Sequence, residues 1–264
     1  MNKLLVILIS LVLVSCRGGS KVEKNSAAIT EGENWESIFN GEDLSGWTPK
    51  ISGYPYGENY KNTFIAEDGV IKANYSEYET FEGEFGHLFY ERSLSSYKLR
   101  LKYRFTGEQV KDGPGWAFRN NGAMLHCQDP ATMGIDQDFP VSIEAQFLGG
   151  DGETPRTTLN LCTPGTNVVI NNELLTQHCI NSTSETFHGD QWVSAEMVVY
   201  ADSLIHHIVN GDTVLTYTKP QIGGGSIPEG FPLPDGTALA SGYIALQAES
   251  HPCEFKDIEI MVLK

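Results

Sequence analysis

Positive charge is what this chain has least of. Lys and Arg number 18 against 34 Asp and Glu, a formal net charge of -16. It therefore lacks the basic face that displaces counterions from a polyphosphate, which excludes nucleic acid as a partner. No Cys-x-x-Cys occurs, which removes the zinc ribbon and the thioredoxin-type redox site. No Gly-x-Ser-x-Gly elbow occurs either, so a Ser-His-Asp hydrolase is unsupported. Gly223-Gly224-Gly225 is followed by neither a helical pattern nor the Lys-Ser/Thr of a phosphate loop, and reads as a plain loop. The 27 Gly and 12 Pro show no period, and aromatic residues make up 10% of the chain, which excludes collagen and wholesale disorder. What is present is 264 residues, 40% of them hydrophobic, enough for one domain with a full core or at most two small ones.

The N-terminus reads as an address. Lys3 supplies a positive n-region and Leu4 to Val14 an apolar run of 11 residues broken only by Ser10, too short to cross a bilayer at about 1.5 Å per residue. Leu13-Val14-Ser15-Cys16 resembles a bacterial lipobox, which makes residues 1–15 a signal peptide and Cys16 the lipidated N-terminus. The polar stretch within residues 16–32 reads as a flexible tether. The expected location is the cell envelope, lipid-anchored, with the outer membrane preferred and the lipid as the only membrane contact. Such a compartment permits disulfides. Cys162 and Cys179 bracket a Pro-Gly-Thr-Asn turn and two short extended runs, so one bridge is expected there. Cys127 and Cys253 are left either as a second pair or as two buried thiols.

Residues 33–264 are expected to form a single domain of strands. Two-residue alternation marks residues 98–105, 123–128, 141–148, 192–200, 204–210, 213–218, 242–247 and 255–262. Asn210-Gly211 between two of them is a hairpin signal. With no βαβ unit, this predicts an all-β antiparallel sandwich or barrel. The long connections 106–115, 129–140, 149–156, 162–191 and 219–241 are expected to rim a site. Alternation puts Ser142, Glu144 and Gln146 on one face of their strand, Met124, His126 and Gln128 on one face of theirs, and Ala245, Gln247, Glu249 and His251 on one face of a third. Amides, a carboxylate and imidazoles together suit a sugar groove, because hydroxyls need donors and acceptors. The plainer alternative is a solvated outer face, although such a face usually looks like Lys98, Arg100, Lys102 and Arg104. Retaining glycosidases need two carboxylates about 5 Å apart. The run Glu144-Ala145-Gln146-Phe147-Leu148-Gly149 offers one where a Glu-x-Asp-x-x-Glu strand has three, which disfavours double displacement.

Seven segments in order resemble the 3-keto-disaccharide hydrolase family over about residues 35 to 264: Ile38 to Trp47, Arg119 to Gly122, Ser142 to Gln146, Gly189 to Trp192, Ile208 to Gly211, Gly242 to Gln247 and Glu254 to Ile258. The chain departs from that family in having Asn120-Asn121-Gly122 where Asn-Ser-Gly is frequent, Glu249-Ser250-His251 where a His-Gly pair is frequent, and Lys256 where Arg is usual. The resemblance implies a concanavalin A-like jelly-roll sandwich and cleavage of glycosides already oxidised at C3 of the sugar, a 3-keto-disaccharide or 3-keto-glucoside. A C3 ketone acidifies the C2 proton, so one base and an oxyanion stabiliser suffice for elimination and hydration. A noncatalytic carbohydrate-binding module on the same fold is the alternative.

On this reading Glu144 is the general base, or else a substrate-orienting carboxylate. His126 is its acid/base partner or the ligand of a divalent cation polarising the ketone. Arg119 binds hydroxyls or the oxyanion, or forms a rim salt bridge. Gln128, Gln146, Gln247 and His251 are candidate hydroxyl binders, and Trp116 is the stacking platform, with Trp47 and Trp192 in the core. His206 and His207 point to opposite faces and read as structural. The acidic loop from Asp129 to Asp138 lacks EF-hand spacing and is only a remote calcium candidate.

Overall fold

The computed structural model describes residues 34–264, so the leader, Cys16 and the tether lie outside the described residues. Seventeen strands are described: β1 (Glu36–Ser37), β2 (Trp47–Ile51), β3 (Phe64–Glu67), β4 (Val70–Ala73), β5 (Gly86–Tyr90), β6 (Ser96–Phe105), β7 (Asn120–Cys127), β8 (Ile143–Leu148), β9 (Asn160–Cys162), β10 (Thr166–Ile170), β11 (Glu173–Leu175), β12 (Cys179–Ile180), β13 (Val193–Tyr200), β14 (Leu204–Val209), β15 (Asp212–Ile222), β16 (Tyr243–Ala248) and β17 (Cys253–Val262). They form two antiparallel sheets. The larger runs β11-β10-β15-β14-β13-β6-β17-β4-β3, with β1 also on β17, and the smaller runs β12-β9-β8-β7-β16-β5-β2. This is the expected all-β sandwich.

Alternation builds the core between the sheets. Leu99, Leu101, Tyr103 and Phe105 of β6 face inward against Ala145 and Phe147 of β8 and Leu246 of β16. Tyr103 stacks on Phe147 with ring centroids 4.3 Å apart, and its hydroxyl meets Thr158 Oγ1 at 2.6 Å. Each such buried side chain stabilises the sandwich by about 1.5–3 kcal/mol. The Asn210-Gly211 signal is a two-residue hairpin between β14 and β15, with φ +50° and +96° at the two positions and Val209 opposite Asp212.

The smaller sheet departs from a simple inside/outside pattern. All eight residues of β7 and all five of β5 are buried, because the outer face of this sheet is roofed as well. Phe89, Met124, Cys127 and Ala245 form a second apolar cluster on that face, packed against Met133 and Tyr243. The long connections leave the strand ends and fold back over it.

Cys162 and Cys179 are disulfide-bonded, as expected, and Cys127 and Cys253 are buried free thiols. Trp47 is core. Trp192 is not: it lies half-buried, with Arg104 and Lys256 over its ring. His207 is buried between the Leu159 carbonyl and the Tyr217 hydroxyl, while His206 pairs with Thr216.

Candidate active site

A cavity of roughly 370 Å³ opens on the outer face of the smaller sheet, lined by Trp116, Asn120, Phe139, Glu144, Gln146, Cys162, Pro164, His178, Cys179 and Glu249. Its polar groups come from β7, β8 and the end of β16. Its walls come from the roofing connections: Trp116 from the short 3-10 turn Gly115–Ala117, Phe139 from the connection before β8, and Pro164 and His178 from either side of the disulfide. Trp116 is 54% exposed and stacks on Phe85 at 5.7 Å, with Phe139 on the same ring at 5.1 Å. A cavity with an apolar rim and a few convergent polar groups is the usual form of a small-molecule site.

Glu144 is buried, its Oε1 has no hydrogen-bond partner, and burial alone pushes its carboxyl up to about 8. β7 makes room for it. Gly122 lies between β8 and β16, and a Cβ there would stand 2.9 Å from Glu144 Oε1 and 3.0 Å from Gln247 Oε1. Gly122 is therefore a notch with Glu144 on one side and Gln247 on the other.

A second carboxyl shares the cavity, which corrects the single-carboxylate reading. Glu249 is buried with Oε2 unpartnered. Burial holds its carboxyl well above the usual range, the Glu144 charge adds to the rise, and Arg156 opposes it. Its signal was present in the alternation of β16, which, carried one residue past the strand's end, puts Gln247 and Glu249 on one face. A search for carboxylates along one strand overlooks a partner two strands away. Arg156 was missed too: it donates to the Gly149 carbonyl at 2.9 Å and the Trp116 carbonyl at 3.3 Å, and so holds the rim.

Of the other expected site residues, Gln146 lines the cavity and accepts from Asn160 Nδ2 at 3.2 Å. Gln247 flanks the notch, fully buried, with both amide atoms unpartnered. Two expectations, His126 and Gln128, are corrected. His126 does not face Glu144. Two residues of β7 stand opposite one of β16 between the pairs Cys127–Tyr243 and Met124–Ala245, and His126 sits at φ +51°. This bulge turns its ring toward Tyr97 and the Ala201 carbonyl, 3.2 Å from Nε2. The His126 site for a ketone-polarising cation therefore does not fit. Gln128 is spent on its loop, accepting from Val141 N at 2.8 Å and Gln137 Nε2 at 2.9 Å. Arg119 takes the second of its two expected roles, a rim ion pair with Asp190 at 3.3 Å, and also donates to the Gly189 carbonyl at 2.9 Å. His251 is fully buried edge-on to Phe105 and Phe118 with neither ring nitrogen hydrogen-bonded, and burial pushes it down to about 4. Among the described residues, the His/Cys/Asp/Glu group with metal-like spacing is Cys162, His178 and Cys179, whose two sulfurs are bonded to each other.

Comparison with known proteins bears on the fold and the family. No curated protein matches the chain. Two structures of candidate glycosyl hydrolases from Parabacteroides distasonis are similar, with 16% and 18% identity and a TM-score of 0.51 each. They cover 87% and 88% of this chain and 100% and 95% of their own. LamA from Zobellia galactanivorans, in complex with laminaritriose and laminaritetraose, is similar at 9% identity and a TM-score of 0.50, over 86% of this chain and 97% of that one. At these identities the likeness is one of fold. The family model described as a 3-keto-alpha-glucoside-1,2-lyase-like domain matches residues 34–261, and so the chain, with its roofed sandwich and buried carboxyls, belongs to that family.

Proposed function

We propose that the protein cleaves 3-keto-glycosides, 3-keto-disaccharides or 3-keto-glucosides, outside the cytoplasm, with Cys16 as its lipid anchor. The observation that carries this reading is Glu144, buried at the Gly122 notch with a free oxygen and a carboxyl pushed up to about 8. A general base serves best when its pKa lies near the working pH. With the sugar ring over the notch, ionised Glu144 takes the C2 proton. The C2–H electron pair forms C2=C3, and the carbonyl pair moves onto the C3 oxygen. On return of that pair, C1=C2 forms, the C1–O bond breaks and the departing oxygen takes a proton from Glu249. Water then adds at C1, giving a proton to the now ionised Glu249, and C2 takes back the proton held by Glu144. Two carboxyls in mutual repulsion divide into base and acid, since only one ionises easily.

The same two carboxyls favour a second reading, direct hydrolysis of unmodified glycosides. Both readings need one carboxyl ionised and the other protonated, so the substrate that is cleaved separates them. The protein lacking residues 1–16 is expected to release aglycone from a 3-keto-glucoside and leave the plain glucoside intact. Release from both favours direct hydrolysis, and binding without release favours a carbohydrate-binding module. Glu144→Gln is expected to lower the rate at least about a hundredfold; an unchanged rate places the base elsewhere.

A further inference from the structure

A line of polar side chains crosses the roofed sheet next to the notch and has no part in the chemistry above. Lys50 of β2 pairs across strands with His87 of β5, and His87 pairs with Gln247 of β16. His87 and Gln247 are both fully buried, and neither has a hydrogen-bond partner on any of its side-chain nitrogen or oxygen atoms. Four buried polar atoms on two adjacent residues are a large unmet demand, since each costs about 1–3 kcal/mol when left unsatisfied. Gln247 borders the notch opposite Glu144. His87 stands edge-on to Phe139 at 5.7 Å, and Phe139 lines the cavity.

We infer that Gln247, across the Gly122 notch from the base, and His87, beside Gln247 on the next strand, are the hydrogen-bond donors for the C3 oxygen of the substrate. This rests on the proposed 3-keto chemistry and assigns the group that stabilises its charged intermediate. As Glu144 removes the C2 proton, negative charge gathers on the C3 oxygen. Gln247 faces the notch with Oε1, and since neither amide atom is hydrogen-bonded the amide turns over at no cost in hydrogen bonds to present its N–H. That N–H and a ring N–H of His87 donate to the C3 oxygen, and neither gives up its proton. His87 is suited to this because it stays neutral. Burial, then the nearby Lys50 charge, pushes its imidazole down to about 3. The Lys50 ammonium is itself held by the Ile51 and Ile135 carbonyls, both at 2.8 Å. A neutral imidazole that polarises a carbonyl beside a carboxylate base is an established solution for proton abstraction next to a ketone.

The experiment follows two signals from one 3-keto-glucoside in D2O: loss of the C2 proton signal by NMR, and aglycone release. His87→Leu is expected to lower both by about a hundredfold, mainly in kcat, which is the usual loss for one such donor. His87→Asn, which keeps an N–H, is expected to recover part of the rate. A purely structural histidine predicts no difference between Leu and Asn at equal stability. Should wild type exchange and release while His87→Leu does the same at full rate, the donor assignment is overturned and the 3-keto chemistry stands. Should wild type do neither, the proposed chemistry fails. The donor wall is then judged on binding, with 1,5-anhydroglucitol oxidised at C3 as the probe. In the labelled wild type, this probe is expected to shift the His87 ring-nitrogen resonance. No shift at saturation overturns the inference, and this measurement also decides it if His87→Leu fails to fold.

Discussion

Gly122 is the residue on which the site's shape turns. Its φ lies outside the left-handed region, so the backbone accepts a side chain. The obstacle is space, because the nearest atoms to an added Cβ are the carboxyl end of Glu144 and the amide oxygen of Gln247. The two oxygens are ends of flexible side chains but Glu144 Cγ, also 3.0 Å away, is not, so Gly122→Ala is expected to fold with a lowered melting temperature and to lose 3-keto-glycoside turnover as the two groups are pushed from the notch. Retained turnover would show that the sugar does not seat there. Glu144 and Gln247 were legible in the sequence because alternation placed both on polar faces. His87 was not, since β5 (GHLFY) is buried on both faces and a run without alternation does not announce a polar position.

At the scale of the element, the same cause explains which strands the sequence revealed. The eight alternating runs became β6, β7, β8, β13, β14, β15, β16 and β17, with ends within a few residues. The short or doubly buried strands β2–β5 and β9–β12 were passed over. Within β7 the alternation held as far as Leu125 and then failed, because the bulge at His126 adds one residue and inverts every face beyond it. The edge strand β12 has two residues and pairs only with β9, with Cys179 opposite Cys162, which is in turn opposite Glu144. The disulfide is thus both the fastening of this edge and a wall of the cavity. Replacing Cys162 and Cys179 by Ser is expected to destabilise the domain by about 3 kcal/mol, from the chain entropy of a loop of this length, and to weaken binding of a 3-keto-glucoside. Denaturant unfolding and titration calorimetry measure the two effects separately. Unchanged affinity in the folded double variant would show that β12 keeps its place without the bridge.

For the whole molecule, the buried groups set opposing responses to pH. Burial lowers His87, His126, His207 and His251, from a starting value of 6.5 to about 3 for His87 and about 4 for His207 and His251. Below 6.5 the unfolded chain takes up protons that these folded imidazoles refuse, so stability falls as pH falls. Glu144 and Glu249 act the other way. Between 4.5 and about 8 the unfolded Glu144 has lost the proton that the folded carboxyl keeps, so its contribution declines as pH rises. Four imidazoles oppose two carboxyls below 6.5, and the carboxyls act alone above it. Stability is therefore expected to peak near 6.5 and to fall toward 8. Glu144→Gln is expected to gain at least about 1 kcal/mol at pH 8, or about 2–4 °C for a domain of this size. Catalysis has the reverse dependence, because Glu144 must be ionised to accept the C2 proton, so the rate is expected to climb through about 8 while the melting temperature drops. Melting curves and initial rates from pH 5 to 9 test this together. A melting temperature flat from 6.5 to 8.5, with a rate already level at 6, would mean that Glu144 is ionised in the folded protein at neutral pH and that its burial is relieved by water in the cavity.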